Sequence, residues 1–301
     1  MTIGDDYLDY PRRAYGSDQD RTAWALAKDR VPAPWPGGKA LACMIVVPIE
    51  HHMLNPSGKP FKHPGAMVTP YPDLRHYTSR DYGNRVGVFR ILKALAAVGL
   101  KATVPVNAHQ LQRLRPVVDL ALAAGHEIAA YGLSTDHIHW SGLAPGVEDR
   151  WVAEARALFI AAGLAPRTWM SPARQQSFAT LDILAQHGFD ICLDWESDEA
   201  PIGMTTTSGP VHAIPLSNEL DDRTLLVDRR QTEDSWADQI VEAKDYLVAD
   251  RVAGRVLAFT LTPYVAGQPF RQHPLRRMLQ ALAGDGAVWN ATAGQIVGAS
   301  V

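Results

Sequence analysis

The stretch Leu41-Ala-Cys-Met-Ile-Val-Val-Pro-Ile-Glu50-His51-His52 decides the fold class of this 301-residue chain. An apolar run without polar alternation, ending abruptly on one carboxylate and two imidazoles, reads as a parallel strand buried on both faces. In barrels and open α/β sheets, chemistry collects at the C-terminal ends of such strands. Glu50, His51 and His52 stand at that end, and Glu with His can serve a metal or acid–base catalysis. Strands also run into polar loops without function, so the rest of the chain has to decide.

Outward from Leu41–Ile49, strand and helix signals alternate. Val88, Ile91, Leu92, Leu95 and Val98 keep helical spacing from Val86 to Leu100, with Gly99 as the stop. Lys101–Val106 reads as a strand and 110–124 as a helix ending at Gly125. Glu127–Tyr131 is a strand and 147–163 a helix ending at Gly163. Thr168–Pro172, Phe189–Trp195, Val211–Leu216 and Arg255–Leu261 supply further strands. Helices are expected at Ser177–His187, 234–252 and 274–284, and Ala287–Asn290 closes the sheet. Such alternation calls for a parallel sheet. About seven strands with long following loops point to α/β class and a distorted parallel β/α barrel, a single domain over 39–301. Residues 1–38, rich in Asp, Arg, Pro and Trp, read as an extended arm, and 53–79 as a long polar loop.

Composition narrows the function. Apolar residues make up 47% and charged residues 20%, enough for a full core, and the net charge of −3 offers no footprint for nucleic acid. Cys43 and Cys192 lie in apolar runs and read as buried free thiols. No apolar stretch reaches the length of a membrane span, and the first residues lack the pattern of a signal peptide. A cytoplasmic protein acting on a small molecule, with no nucleic-acid or membrane partner, is the expectation.

Polar residues recur at the strand ends: Tyr131-Gly132, Ser171-Pro172, Asp194-Trp195, Asn218-Glu219-Leu220-Asp221-Asp222 and Thr262-Pro263-Tyr264. In Arg80-Asp-Tyr-Gly-Asn-Arg85-Val-Gly, two arginines near an expected helix start oppose the helix dipole. They either pair with Asp81 or other carboxylates, or point at an anionic or carbonyl-bearing substrate.

With Arg90, Ala102-Thr103, Asn107-Ala108, Gly125-His-Glu-Ile128, Trp169-Met-Ser-Pro, Asp194-Trp-Glu-Ser-Asp, Ile214-Pro-Leu-Ser-Asn-Glu-Leu-Asp-Asp and Gly267-Gln-Pro-Phe-Arg, the chain resembles the polysaccharide deacetylase (NodB-type) superfamily. It is similar in particular to the branch of metal-independent allantoinases and cyclic-imide hydrolases. The resemblance spans nearly all of residues 10–295. It implies a NodB-type, TIM-like barrel and hydrolysis of carbon–nitrogen bonds, and an oligomer, dimer or tetramer.

The departures fall on the metal site. Two acidic residues usually follow the first strand; their positions match Glu50 and His51. Two metal-binding histidines four apart match Tyr131 and Thr135, and the usual acid histidine matches Thr262. Tyrosine is a rare zinc ligand and neutral threonine a poor one, so no metal and no other cofactor is expected. The alternative is a divalent ion such as zinc on His51, the loop histidine His137 and Glu50, with His139 nearby. On the hydrolase reading, Glu50 is the general base, its pKa raised by burial, and His51 shares that role or acts as acid. Arg80 and Arg85 polarise a carbonyl oxygen in place of the metal. Tyr82 and Tyr131 donate hydrogen bonds and Trp195 walls the pocket. Asp194 orients an arginine, and Ser171 and Thr262 complete the substrate-binding set. His52 is expected to face the other way. The alternative function is a catalytically inactive or non-hydrolytic descendant that keeps a small-molecule pocket.

Overall fold

The computed structural model describes residues 19–23, 25–29, 34–57 and 74–300. Most of the expected arm and most of the 53–79 loop lie outside the described residues. The strands are β1 (Leu41–Val46), β2 (Thr103–Val106), β3 (Glu127–Ala130), β4 (Thr168–Trp169), β5 (Ile191–Cys192), β6 (Ile202–Met204), β7 (Val211–Ala213), β8 (Val256–Thr260) and β9 (Val288–Asn290). They form one sheet in the order β6-β7-β5-β4-β3-β2-β1-β8, with β9 also on β1. Every pairing is parallel except β6 with β7. The sheet curls into a half-barrel walled by helices. Antiparallel β6 was not expected; three residues around a glycine carry too short a pattern to see.

β1 sits centrally. Ala42–Val46 pair with Val256–Thr260 of β8, while the opposite edge is shared by β9 at Leu41–Cys43 and β2 at Val46. All six β1 residues are buried, as a doubly covered parallel strand requires. Leu41, Cys43, Ile45, Val47 and Ile49 enter the cluster shared with the helices. Ala42, Met44 and Val46 enter a second cluster with Tyr131, Met170, Leu193 and Leu216. Extended pairing continues past Val46: the Ile49 N–H donates to Pro105 O (2.7 Å), and the Asn107 N–H to Ile49 O (3.0 Å). The period of two therefore carries Glu50 to the same face as Met44 and Val46.

The helices are α1 (Leu74–Tyr82), α2 (Val88–Ala97), α3 (Arg115–Ala123), α4 (Val147–Ala161), α5 (Thr180–Gln186), α6 (Glu233–Asp250), α7 (Gln272–Ala283) and α8 (Ala293–Ser300). Gly99, Gly125 and Gly163 follow α2, α3 and α4 with φ of 74–78°, the left-handed stop that glycine adopts without a Cβ clash. α1 corrects the expectation of a loop to residue 79. Its buried residues are His76, Arg80 and Asp81, so no apolar stripe announces it. The backbone stays helical from α1 through residues 83–87 into α2, so Arg80 lies inside a continuous helical segment and not at a helix start.

Between α1 and α2 the chain makes a π-helical turn, Gly83–Gly87. Its glycines seat another segment directly on the backbone. A Cβ on Gly87 would stand 1.9 Å from Pro263 O, and one on Gly83 2.7 Å from Tyr264 N. Gly267 completes the contact, since its Cβ would fall 2.4 Å from Gly87 Cα. The Gly-Asn-Arg-Val-Gly stretch thus packs the turn after β8, which brings Thr262 and Tyr264 to the sheet's C-terminal end. Among the described residues no helix is long and apolar enough to cross a membrane.

Candidate active site

Glu50 is the buried carboxylate at the mouth, 7% exposed. Its main-chain oxygen accepts from Asn84 Nδ2 (2.8 Å) in the π turn and Gln110 Nε2 (3.3 Å) beyond β2, which pins the backbone. On the side chain, Oε1 accepts from the Tyr131 hydroxyl (3.4 Å), and Oε2 lies 3.2 Å from His52 Nε2. Burial pushes this carboxyl up. The His52 hydrogen bond and charge, with the charges of Arg223 and Arg80, more than cancel that and hold it below its ordinary value of 4.5. Glu50 is therefore ionised at neutral pH, which corrects the expectation of a raised pKa. The cause is the cations that folding brings around it.

A cavity of about 190 Å³ opens onto Glu50. Polar groups dominate its wall: Tyr131, Asn218, Asp221, Arg223 and Thr262 among them, with Met170 and Leu216 as apolar members. Arg223 follows Asp222 at the end of the segment after β7, one residue beyond the motif that the sequence singles out. Burial works against its cation. Tyr264, Glu50 and Asp221 outweigh that, so its pKa is raised. Burial raises the Tyr131 hydroxyl well above its ordinary value, with Glu50 adding to the rise, so it stays a neutral donor. Asp222 is fully buried and accepts from the Thr262 N–H (2.7 Å) and Ala266 N–H (3.2 Å), which fixes the turn carrying Thr262 to the cavity. Arg174 also lines it, on a turn where Ala173 and Arg174 both have φ above +50°.

The structure gathers some expected site residues and disperses others. Glu50, Tyr131 and Thr262 line one cavity. Arg80 stands behind it, 2% exposed, with Nη1 2.8 Å from His76 Nδ1 and the guanidinium 5.7 Å from the Tyr264 ring centre. Arg85 points away: its side chain is 74% exposed and 4.0 Å from Asp81. Of the two openings for the arginine pair, Arg85 takes the ion pair with Asp81. The Tyr82 hydroxyl accepts from Arg90, which also donates to Gly267 O (3.0 Å), so Tyr82 braces the glycine contact. Ser171 is fully buried; its Oγ accepts from Trp169 Nε1 (2.9 Å). Among the described residues Asp194 bonds no arginine, contrary to expectation. Its oxygens accept from the Ser171 N–H (2.8 Å) and Gln176 Nε2 (2.7 Å), and Trp195 Nε1 donates to Gln176 Oε1 (2.9 Å). Asp194 and Trp195 wall a separate cavity of about 370 Å³, which shares Arg174 with the first.

The two histidines exchange the places expected of them. His52 shares the Glu50 face, as the period of two requires, and His51 faces the helices. The His51 ring stands edge-on to His109 at 5.7 Å, and His109 stands the same way to His137 at 5.6 Å. Burial, then neighbouring His109 and His52, lower the His51 pKa to about 4. Matching His51 to the second acidic position of the resembling family placed it in the site; strand parity overrides that match.

The deacetylase metal set does not fit these residues. The Tyr131 hydroxyl faces Glu50, and Thr135 Oγ1 donates to His51 O (2.9 Å). His51, His137 and Glu50 do not converge, because His137 Nδ1 bonds Ser134 Oγ (2.7 Å) while Glu50 turns to His52. His139 is fully buried against Glu148, 2.9 Å away. Among the described residues no group of three or more His, Cys, Asp or Glu side chains is arranged to hold a metal ion.

Comparison with protein-family models and with curated proteins returns no match. Solved structures do match. PuuE allantoinase is 23% identical over 97% of each chain, with a TM-score of 0.78. A probable polysaccharide deacetylase of Pseudomonas aeruginosa PAO1 is 22% identical over 90% of this chain and 94% of its own, at 0.76. A mutant of a CE4 family pseudoenzyme with restored enzymatic activity aligns over 90% of this chain and 73% of its own, 12% identical, at 0.51. The chain thus has the NodB-type α/β fold that its sequence motifs resemble, the fold of the deacetylase and of the allantoinase.

Proposed function

We propose that this protein hydrolyses a carbon–nitrogen bond of a small cyclic amide, imide or ureide without the usual deacetylase metal set. The observation that carries this reading is the ionised Glu50 carboxylate opening onto a small polar cavity that also holds Arg223. A cavity of about 190 Å³ suits a single small ring. Its mixture of cationic, anionic and neutral hydrogen-bonding groups suits a ring alternating C=O and N–H.

In this mechanism Glu50 takes a proton from water as the water oxygen bonds to the ring carbonyl carbon. The carbonyl electrons move onto oxygen, where Arg223 stabilises the developing charge. Collapse breaks the C–N bond, and the proton held on Glu50 passes to the leaving nitrogen. Glu50 emerges ionised, and one water has been added across the bond. A carboxylate held low is a weaker base than one poised near 7, but at neutral pH nearly all molecules carry it in the competent state.

A second reading, ligand binding without turnover, draws on Thr262 standing where an acid histidine is usual. Glu50→Gln separates the two. Hydrolysis of a panel of imides, ureides and lactams should fall by roughly 10²–10⁴-fold with cavity binding retained. A fully active Glu50→Gln protein sinks the hydrolase mechanism; tight binding with no turnover by the native protein across the panel supports the second reading.

A further inference from the structure

His52 is a buried titratable group that the mechanism above leaves unused. It does not line the cavity, and the residue is 7% exposed. Nε2 lies 3.2 Å from Glu50 Oε2 and Nδ1 3.4 Å from Thr135 Oγ1. Both facing oxygens are acceptors. A carboxylate has no proton to offer, and the Thr135 hydroxyl proton goes to His51 O at 2.9 Å. A neutral imidazole can donate from one nitrogen only and leaves the other lone pair against oxygen. Donation from Nε2 to Glu50 Oε2 is therefore the bond that this geometry offers, whether or not Nδ1 also carries a proton.

We propose that His52 is a positioning residue: bracketed by Thr135, it holds Oε2 of Glu50 while Tyr131 holds Oε1, and so aims the carboxylate at the cavity. The role rests on Glu50 being the base. Other groups face the pair from every side. Arg223 and Tyr131 stand beside Glu50, Arg80 comes from α1, and Tyr264 comes from the turn after β8. The His76 and Tyr264 rings close on His52, each with its centre 6.1 Å away. Without His52 the carboxylate loses one donor and one cation on the same oxygen, and its proton affinity rises.

The test uses the full chain carrying ¹³C-carboxyl glutamate. The Glu50 signal is assigned by its loss in Glu50→Gln and titrated in native, His52→Ala and His52→Gln proteins. The midpoint should rise by about one pH unit, a tenfold tighter proton, in His52→Ala and by less in His52→Gln, which keeps a donor. With succinimide as the probe substrate, the acidic limb of kcat/KM should move up by the same amount while KM changes less than about twofold. A midpoint unmoved in both variants overturns the proposal, and so does a moved midpoint with an unmoved acidic limb. If Glu50→Gln hydrolyses succinimide at the native rate, the general-base mechanism fails. The midpoint alone then decides whether His52 holds the carboxylate.

Discussion

Two carboxylates, Glu50 after β1 and Asp194 after β5, stand at strand ends of the same sheet, and folding uses them in opposite ways. Both oxygens of Asp194 are taken up by groups that tie strand ends together: the Ser171 N–H and the Gln176 amide, with the Cys192 thiol 3.5 Å away. Among the described residues no cation forms an ion pair with it, and burial raises its pKa. Glu50, the more buried of the two, stands among Arg223, Arg80 and His52, and its pKa is lowered. Both carboxylates border cavities and have both oxygens engaged, so the cations around Glu50 are what mark it as a carboxylate that is a candidate for chemistry. One whose oxygens are spent on the backbone and on amides is part of the scaffold.

Substitution should separate the two most strongly. Glu50→Gln, whose loss of turnover is set out above, should leave urea unfolding within about 1 kcal/mol of native, because the amide keeps the shape. Asp194→Ala should instead lose about 2–3 kcal/mol of unfolding free energy by leaving the Ser171 N–H and Gln176 amide without an acceptor. An Asp194→Ala protein of native stability would remove the contrast.

The arginines sharpen the same comparison. Arg223→Gln should cut turnover by roughly 10²-fold as the carbonyl oxygen loses its cation, and should raise the Glu50 pKa. Arg85→Gln, at a side chain 74% exposed, should change both turnover and stability little, within about 0.5 kcal/mol. Equal losses in the two variants would mean that the wrong arginine has been placed at the mouth.

The smallest effect is in the pH dependence of stability, where the signs oppose. Stability rises with pH wherever the unfolded chain binds more protons than the folded one. Glu50, lowered in the folded state, contributes stability present above 4.5 and lost as pH falls through its folded pKa. Asp194, raised in the folded state, binds its proton more tightly folded, so falling pH restores stability between its folded pKa and 3.8. Urea midpoints measured from pH 3 to 7 should therefore flatten at the acid end in Glu50→Gln and steepen in Asp194→Asn. Matching profiles would contradict the assigned directions.

Much of this was legible in the chain. The apolar β1 run, the glycine stops and the strand–helix alternation are local signals, and the fold follows from them. Glu50, Tyr131 and Thr262 were found because strand ends are where such sheets gather polar side chains. Arg223 was missed because one cation after two aspartates looks like any loop, although the quoted motif stops one residue short of it. α1 was missed because it buries polar residues, so a search for apolar period has nothing to count.

By itself the sequence determined a parallel α/β scaffold and the end of it where chemistry would sit, because hydrophobic period and backbone stops act within a few residues. The parity of two also lay in the chain, but its use depended on β1 staying extended to Glu50, which pairing with Pro105 and Asn107 establishes. Which arginine is buried and in which direction each carboxylate's pKa moves were decided by tertiary structure, which also fixed the histidine that meets Glu50. Burial and charge–charge coupling are set by residues distant in sequence and close in space.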